Sequence, residues 1–188
     1  IFLYGFNRPN LSLAVQQKTN NWKAQLLEFL ANRKNESGIV YCLSQKLTEQ
    51  CAEFLQSEGF NAYPFHAGLD TDVKIDTQDK FMTEDNVVVC ATIAFGMGID
   101  KADVRYVAHV SLPSSMEAFY QEIGRAGRDG LDADTLLIFG LQDLFQRKRF
   151  IDMTDAHDSF KIKEHKRLDA LIAYCDSATC RRQSLLSY

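Results

Sequence analysis

The chain has 188 residues, 46% of them hydrophobic and 24% charged, and a formal net charge of −4. That length allows one domain with a small appendage, and the composition is that of a globular chain rather than a disordered one. The negative balance excludes binding to nucleic acid by bulk charge, and no apolar run approaches the roughly 20 residues of a membrane span; the expected location is the cytoplasm, as bacterial cytosol or nucleoid, or the nucleus in a eukaryote.

In chain order, "NLSLAVQQK" alternates Leu11, Leu13 and Val15 with polar neighbours and predicts a half-buried strand. "NNWKAQLLEFLANRK" predicts a helix capped by Asn21 and closing on basic residues. "IVYCL" reads as a strand covered on both faces, and "SQKLTEQCAEFLQSEG" as a helix stopped by Gly59. The unit recurs. "FNAYPF" predicts a strand, "DTDVKIDTQDKFMT" a helix opened by Asp70 or Thr71, and "NVVVCAT" and "VRYVAHV" two further strands. "LPSSMEAFYQEIGRAG" predicts a helix started by Pro113 and Ser114, and "DTLLIFG" a last strand. Short apolar strands alternating with amphipathic helices imply an α/β fold, a parallel β-sheet with helices on both faces. Beyond residue 150 only helix signals remain, which divides the chain into residues 1–150 and an all-α extension over 151–188.

Cys42, Cys51, Cys90, Cys175 and Cys180 are an odd set, three of them inside apolar strand or helix patterns. Reduced thiols fit that placement better than a disulfide framework. His109, inside an apolar strand, reads as a satisfied core histidine. The basic runs "QRKRF" and "KIKEHKR" read either as solvated helix faces or as nucleic-acid contacts.

Ligands of an open α/β sheet sit outside the carboxyl ends of its strands. "ATIAFGMGID" follows one such end and combines Thr92, Gly96, Gly98 and Asp100. Such a loop can present N–H groups to phosphate, or it can be a tight connection that only glycine fits. In "QEIGRAGRDG" the spacing puts Arg125 and Arg128 on one face near a helix C-terminus, with Gln121 a turn earlier. Two forked cations there serve either the helix dipole or a bound phosphate.

Taken together, "SGIVYCLSQKLTEQCAEFL", "FHAGL", "VVVCATIAFGMGIDKADVRYVAHVSLPSS" and "FYQEIGRAGRDG" resemble the second RecA-like domain of RecQ-family DNA helicases, in order and spacing. "FNRPNL" resembles the segment entering that domain, and "TCRRQSLLSY" the start of the zinc-binding subdomain after it. The resemblance implies a RecA-like fold of the P-loop NTPase kind. It implies that Arg125 and Arg128 reach the phosphates of ATP across an interdomain cleft, Arg128 as the arginine finger, with Gln121 in the same motif. Gly96, Gly98 and Asp100 would bind ATP together with the partner domain; Asp100 stands where many relatives carry Asn. Ser44, His66 and Thr92 would contact the DNA strand. Cys180 matches the first of four zinc-ligating cysteines.

A G-x-x-x-x-G-K-[ST] phosphate loop and an acidic Mg²⁺-binding box are absent from the sequence. The resemblance therefore implies ATP and Mg²⁺ bound mainly by a preceding RecA-like domain, and a fragment that neither hydrolyses ATP nor unwinds DNA alone. Zn²⁺ belongs to the parent, because after Cys180 no cysteine remains to complete four ligands. The parent is expected to be a 3′-to-5′ helicase on single-stranded and duplex DNA. The alternatives are an RNA helicase domain and a non-catalytic module binding nucleic acid or protein.

Overall fold

A computed structural model describes residues 8–96, 98–177 and 180–186. The outer residues of "FNRPNL" and "TCRRQSLLSY", and Met97 of the glycine loop, lie outside the described residues.

Among the described residues there are six strands, separated by helices except between the fourth and fifth. They are β1 (Leu11–Gln17), β2 (Gly38–Tyr41), β3 (Asn61–Phe65), β4 (Val87–Ala91), β5 (Tyr106–His109) and β6 (Ala133–Phe139). The helices are α1 (Trp22–Leu30), α2 (Gln45–Ser57), α3 (Thr71–Thr83), α4 (Met116–Ile123), α5 (Leu141–Met153), α6 (Asp158–Asp176) and α7 (Arg181–Leu186). All strand pairs are parallel, in the order β1-β6-β5-β2-β4-β3. β1, whose alternation predicts one buried face, is an edge strand.

The central strands are apolar throughout because both faces are covered. Ile39, Tyr41, Val87, Val89 and Val107 meet Phe81 of α3, Met116, Phe119 and Ile123 of α4, and Leu171 of α6. Val40, Val88, Cys90, Tyr106 and Ala108 meet Leu26 and Leu30 of α1 and Cys51 and Leu55 of α2. The period-2 pleat sends neighbours to opposite cores. All five cysteines are free thiols, four of them buried.

Local chemistry sets the helix ends, not always at the expected residue. Ser44 caps α2 by accepting from the Leu47 N–H at 3.2 Å. Gly59, at φ 84°, ends it, with Phe60 N–H on the Leu55 carbonyl and Gly59 N–H on that of Gln56. That pairing is a Schellman closure. Asn21 makes no side-chain cap bond at α1; instead Gln25 Oε1 reaches back to accept from Thr19 N at 2.9 Å. Arg33 and Lys34 lie beyond α1, whose last turn holds no basic residue; Arg33 bridges Glu36 and Asp134. Ser115, rather than Pro113 or Ser114, caps α4. At the carboxyl ends of β1 and β5, Lys18 Nζ joins the Val110 carbonyl (2.6 Å) to Asp143 of α5 (3.0 Å). α5 runs without a break through residue 150.

Candidate functional site

The helix carrying "QEIGRAGRDG" stops early. α4 ends at Ile123, so Arg125 and Arg128 stand on a loop of turns and not on one helix face, while Gln121 remains on α4, exposed. A glycine shapes the loop beyond the helix. Gly127 takes φ 58°, and a Cβ there would lie 2.5 Å from Asn10 Nδ2 and 2.7 Å from the Leu131 carbonyl oxygen. The loop also leaves the carboxyl ends of the strands. Gly127 N–H binds the Val104 carbonyl and Asp129 N–H that of Ala102, both in the segment leading into β5.

There the arginine loop meets the glycine loop of residues 92–100. Arg125 turns inward, and its Nη1 donates to the Gly96 carbonyl at 2.6 Å. Its Nε is buried and makes no hydrogen bond among the described residues. Tyr41 lies beneath, its hydroxyl donating to the Phe95 carbonyl at 3.3 Å. Burial pushes the Tyr41 phenol well above its ordinary value, and the Arg125 cation beside it pulls the other way. Gly96, at φ 140°, is the residue over which the guanidinium lies.

Arg128 differs. Its Nη1 donates to Asp100 Oδ1 at 2.5 Å and to the Ile99 carbonyl at 3.3 Å, and its side chain is 35% exposed against 84% for Asp100. The two arginines therefore do not face open solvent as a matched pair. Arg125 locks two loops together, and Arg128 is a surface fork whose carboxylate partner is itself in water. Gly98, at φ 85°, is exposed between them.

The three residues expected at a strand lie apart from this pair, at the carboxyl ends of β2, β3 and β4. Ser44 is exposed at the head of α2. Thr92 is half-buried, its N–H on the Phe65 carbonyl at 3.1 Å. His66 is buried, its Nε2 3.1 Å from Glu49 Oε1, so the loop presents Ala67 and Gly68 rather than the imidazole. Beside Ser44 runs an open groove lined by Leu43, Ser44, Leu47, Gln146, Arg149, Phe150 and Met153.

Four of the eight basic side chains in the two runs are engaged within the chain. Arg147 turns inward and donates to the Leu112 carbonyl at 2.7 Å. Lys161, His165 and Arg167 bond the Asp152 carbonyl, the Asp152 carboxylate and Glu164. His109 is buried in the core as expected but only half satisfied: Nε2 lies 2.7 Å from Glu122 Oε2 and the ring stacks 5.1 Å from Tyr41, while Nδ1 makes no hydrogen bond among the described residues.

Sequence reasoning missed Arg8 and Asn10, which bind the backbone of the arginine loop. Arg8 donates to the carbonyls of Gly124, Ala126 and Gly127, and Asn10 to those of Gly127 and Leu131. A lone polar triplet before a strand, "RPN", carries no local signal of a contact more than a hundred residues away.

At the C-terminal end, Cys180 is exposed, and the N–H groups of Gln183 and Arg182 hold its thiol below the ordinary value. Cys175 is buried in α6, and burial pushes it up to about 12. Among the described residues no group of three or more His, Cys, Asp or Glu is arranged to hold a metal ion, so these residues do not by themselves make a zinc site.

A parallel sheet with helices on both faces, and glycine and arginine loops joined beside its interior strands, define a RecA-like lobe. The helicase conserved C-terminal domain model matches residues 22–130, and the RecQ zinc-binding model matches residues 141–188. The chain belongs to the helicase conserved C-terminal domain family, in its RecQ form. It is 43% identical to the RecQ-like DNA helicase BLM of Xenopus laevis over 193 residues, covering 100% of this chain and 14% of that protein. It is 40% identical to the ATP-dependent DNA helicase RecQ of Haemophilus influenzae over 187 residues, covering 100% of this chain and 30% of that protein. The chain thus spans less than a third of the length of either relative. In fold it resembles a DEAD box protein of Methanococcus jannaschii, with TM-score 0.60 and 24% identity over 76% of this chain and 39% of that one. It also resembles Dbp5 of S. cerevisiae bound to Gle1, with TM-score 0.63 and 21% identity over 87% of this chain and 47% of that one.

Proposed function

We propose that this chain is the second motor lobe of an ATP-dependent DNA helicase, and that it completes an ATP site whose phosphate loop and Mg²⁺ ligands belong to a preceding RecA-like domain. The observation that carries the reading is the division of labour between the two arginines. Arg125 is fixed on Gly96, while Arg128 is a forked cation whose carboxylate partner is 84% exposed. Such a cation exchanges an exposed carboxylate for phosphate oxygens at little cost, because a solvent-exposed ion pair contributes only about 0–1 kcal/mol.

Arg128 acts as the arginine finger, and Arg125 holds the loop from which it reaches. Gln121 and the backbone at Gly96, Gly98 and Asp100 complete the face turned to the nucleotide. ATP and its Mg²⁺ supply the reacting phosphoryl group; this chain supplies charge and position. Beyond the carboxyl ends of β2, β3 and β4, Ser44 at the head of α2, the His66 loop and Thr92 hold the translocated strand. A helix N-terminus suits a backbone phosphate, and Arg149 and Phe150 in the adjoining groove suit a second phosphate and a base. Movement runs 3′ to 5′ as the cleft closes on ATP and reopens after hydrolysis. Residues 1–150 form the lobe, and residues 151–188 begin a zinc-binding subdomain, in which Cys180 is one thiolate ligand. Alone, the chain turns over no ATP.

The test is Arg128→Ala and Arg128→Lys in the full-length protein. DNA-stimulated ATP turnover falls by about 10³–10⁵ in both, since a point charge does not replace the fork. Thermal unfolding stays unchanged. Turnover within threefold of wild type in Arg128→Ala would exclude this role. Matched DNA and RNA duplexes offered to the wild-type protein assign the substrate.

A further inference from the structure

The arginine loop is not self-supporting. After Ile123 the chain runs on in turns that close on the Tyr120, Glu122 and Ile123 carbonyls, and the carbonyls of the loop itself lie outside any helix. Arg8 bonds three of these loop carbonyls. Its Nη2 donates to the Ala126 and Gly127 carbonyls at 2.8 and 2.7 Å, and its Nη1 to that of Gly124 at 3.3 Å. These carbonyls flank Arg125 on both sides. A guanidinium at the carboxyl end of α4 also complements the partial negative charge there.

The segment bearing Arg8 is gripped in turn. β1 is an edge strand, bonded along one side only, to β6. On its other side Arg182 of α7 donates to the carbonyls of Arg8 and Leu11, each at 2.5 Å, and to that of Pro9 at 3.3 Å. Leu185 of the same helix packs against the core. Two forks in series thus run from α7 through residues 8–11 to the carbonyls on either side of Arg125, and each fork joins segments more than 110 residues apart in the chain.

We propose that Arg182 and Arg8 are positioning residues for ATP turnover: they set the arginine loop, and through them the placement of α7 governs how Arg128 is presented. The proposal rests on the reading that Arg128 serves ATP. Neither residue touches nucleotide. Each works by a fork that satisfies two or three carbonyls at once, which a lysine ammonium cannot reproduce in the same geometry.

The experiment uses the full-length helicase with Arg8→Lys, Arg182→Lys, Arg128→Ala and the two double variants with Arg128→Ala. At saturating DNA, kcat for ATP falls by about 10–100-fold in Arg8→Lys, the scale of a catalytic group misplaced by about 1 Å. It falls less in Arg182→Lys, and KM for ATP moves less than about threefold in both. In the Arg128→Ala background neither lysine variant lowers kcat further. Hydrogen exchange quickens in peptides covering residues 121–131 and stays at the wild-type rate in β2 and β4.

Unchanged kcat in both lysine variants overturns the proposal. So does a loss of kcat accompanied by faster exchange everywhere and a lowered melting temperature, which marks a merely structural role. If Arg8→Lys does not fold, Arg182→Lys, on the protein's surface, decides by the same criteria. If Arg128→Ala keeps full turnover, the ATP reading itself is wrong and the positioning role falls with it. Loop exchange that still quickens would then leave the brace as architecture only.

Discussion

Arg125 lies directly over Gly96. Its Nη1 donates to the Gly96 carbonyl at 2.6 Å, and a Cβ on residue 96 would stand 2.3 Å from the guanidinium carbon. The glycine loop and the arginine loop are therefore one mechanical piece, and the missing side chain at 96 is what lets them close.

Gly96→Ala breaks that piece twice over, by the clash and by forcing an L residue to φ 140°. The cost is about 1–3 kcal/mol, measurable as a lowered urea midpoint. In the full-length protein, ATP turnover falls with it by about tenfold or more, because the loop bearing Arg128 shifts. An alanine variant with wild-type stability and turnover would show that the two loops are not coupled.

Asp100 and Arg128 make a close pair that contributes little to folding. With Asp100 84% exposed, water and salt screen the attraction. A double-mutant cycle with Asp100→Ala and Arg128→Ala, read by urea unfolding, gives a coupling below about 1 kcal/mol. A coupling well above that would mean that Arg128 is committed to Asp100 and not available to phosphate.

The sheet was legible because its physics is local. The unbroken apolar runs at Ile39–Tyr41 and Val87–Ala91 announce strands covered on both faces, and both lie in the middle of the sheet. The arginine loop was legible as a motif but not as geometry. Helical spacing put Arg125 and Arg128 on one face, but α4 ends at Ile123, where Arg8 and Asn10 take up the carbonyls that a longer helix would have used. No local pattern reports a partner so distant in sequence. His66 shows the same limit. A histidine in an exposed-looking "HAGL" turn is buried, with Glu49 of α2 within hydrogen-bonding distance of its ring, a contact the local sequence does not announce.

Glu122 sits in the middle of the arginine motif yet faces the core. Its carboxylate lies 2.7 Å from His109 Nε2, and the inward Arg147 feels its charge. Glu122→Ala leaves the buried imidazole without that partner and costs about 2–4 kcal/mol of stability, whereas Glu122→Gln keeps a hydrogen bond and costs less. Chemical denaturation of the three proteins checks the ranking. Equal losses in Ala and Gln would mean that the charge, not the hydrogen bond, is what matters.

Asp129 provides a pH-dependent test of how the arginine loop is anchored. Its carboxylate accepts from Arg105 Nη2 at 2.5 Å and from Leu131 N–H at 3.1 Å, which pins the end of the loop to the segment before β5. The Arg105 hydrogen bond holds the Asp129 carboxyl below the usual aspartate range. A folded-state value below the unfolded one means that the unfolded chain binds the proton more readily. The interaction is therefore fully stabilising above the ordinary aspartate value of about 3.9, and it is lost as pH falls through the depressed folded value. Asp129→Asn is then less stable than wild type at neutral pH, and the gap between the two closes as pH falls below about 4. Thermal unfolding of both proteins from neutral to acid pH reads this gap, and a gap independent of pH would assign the effect to the Leu131 turn rather than to the ion pair.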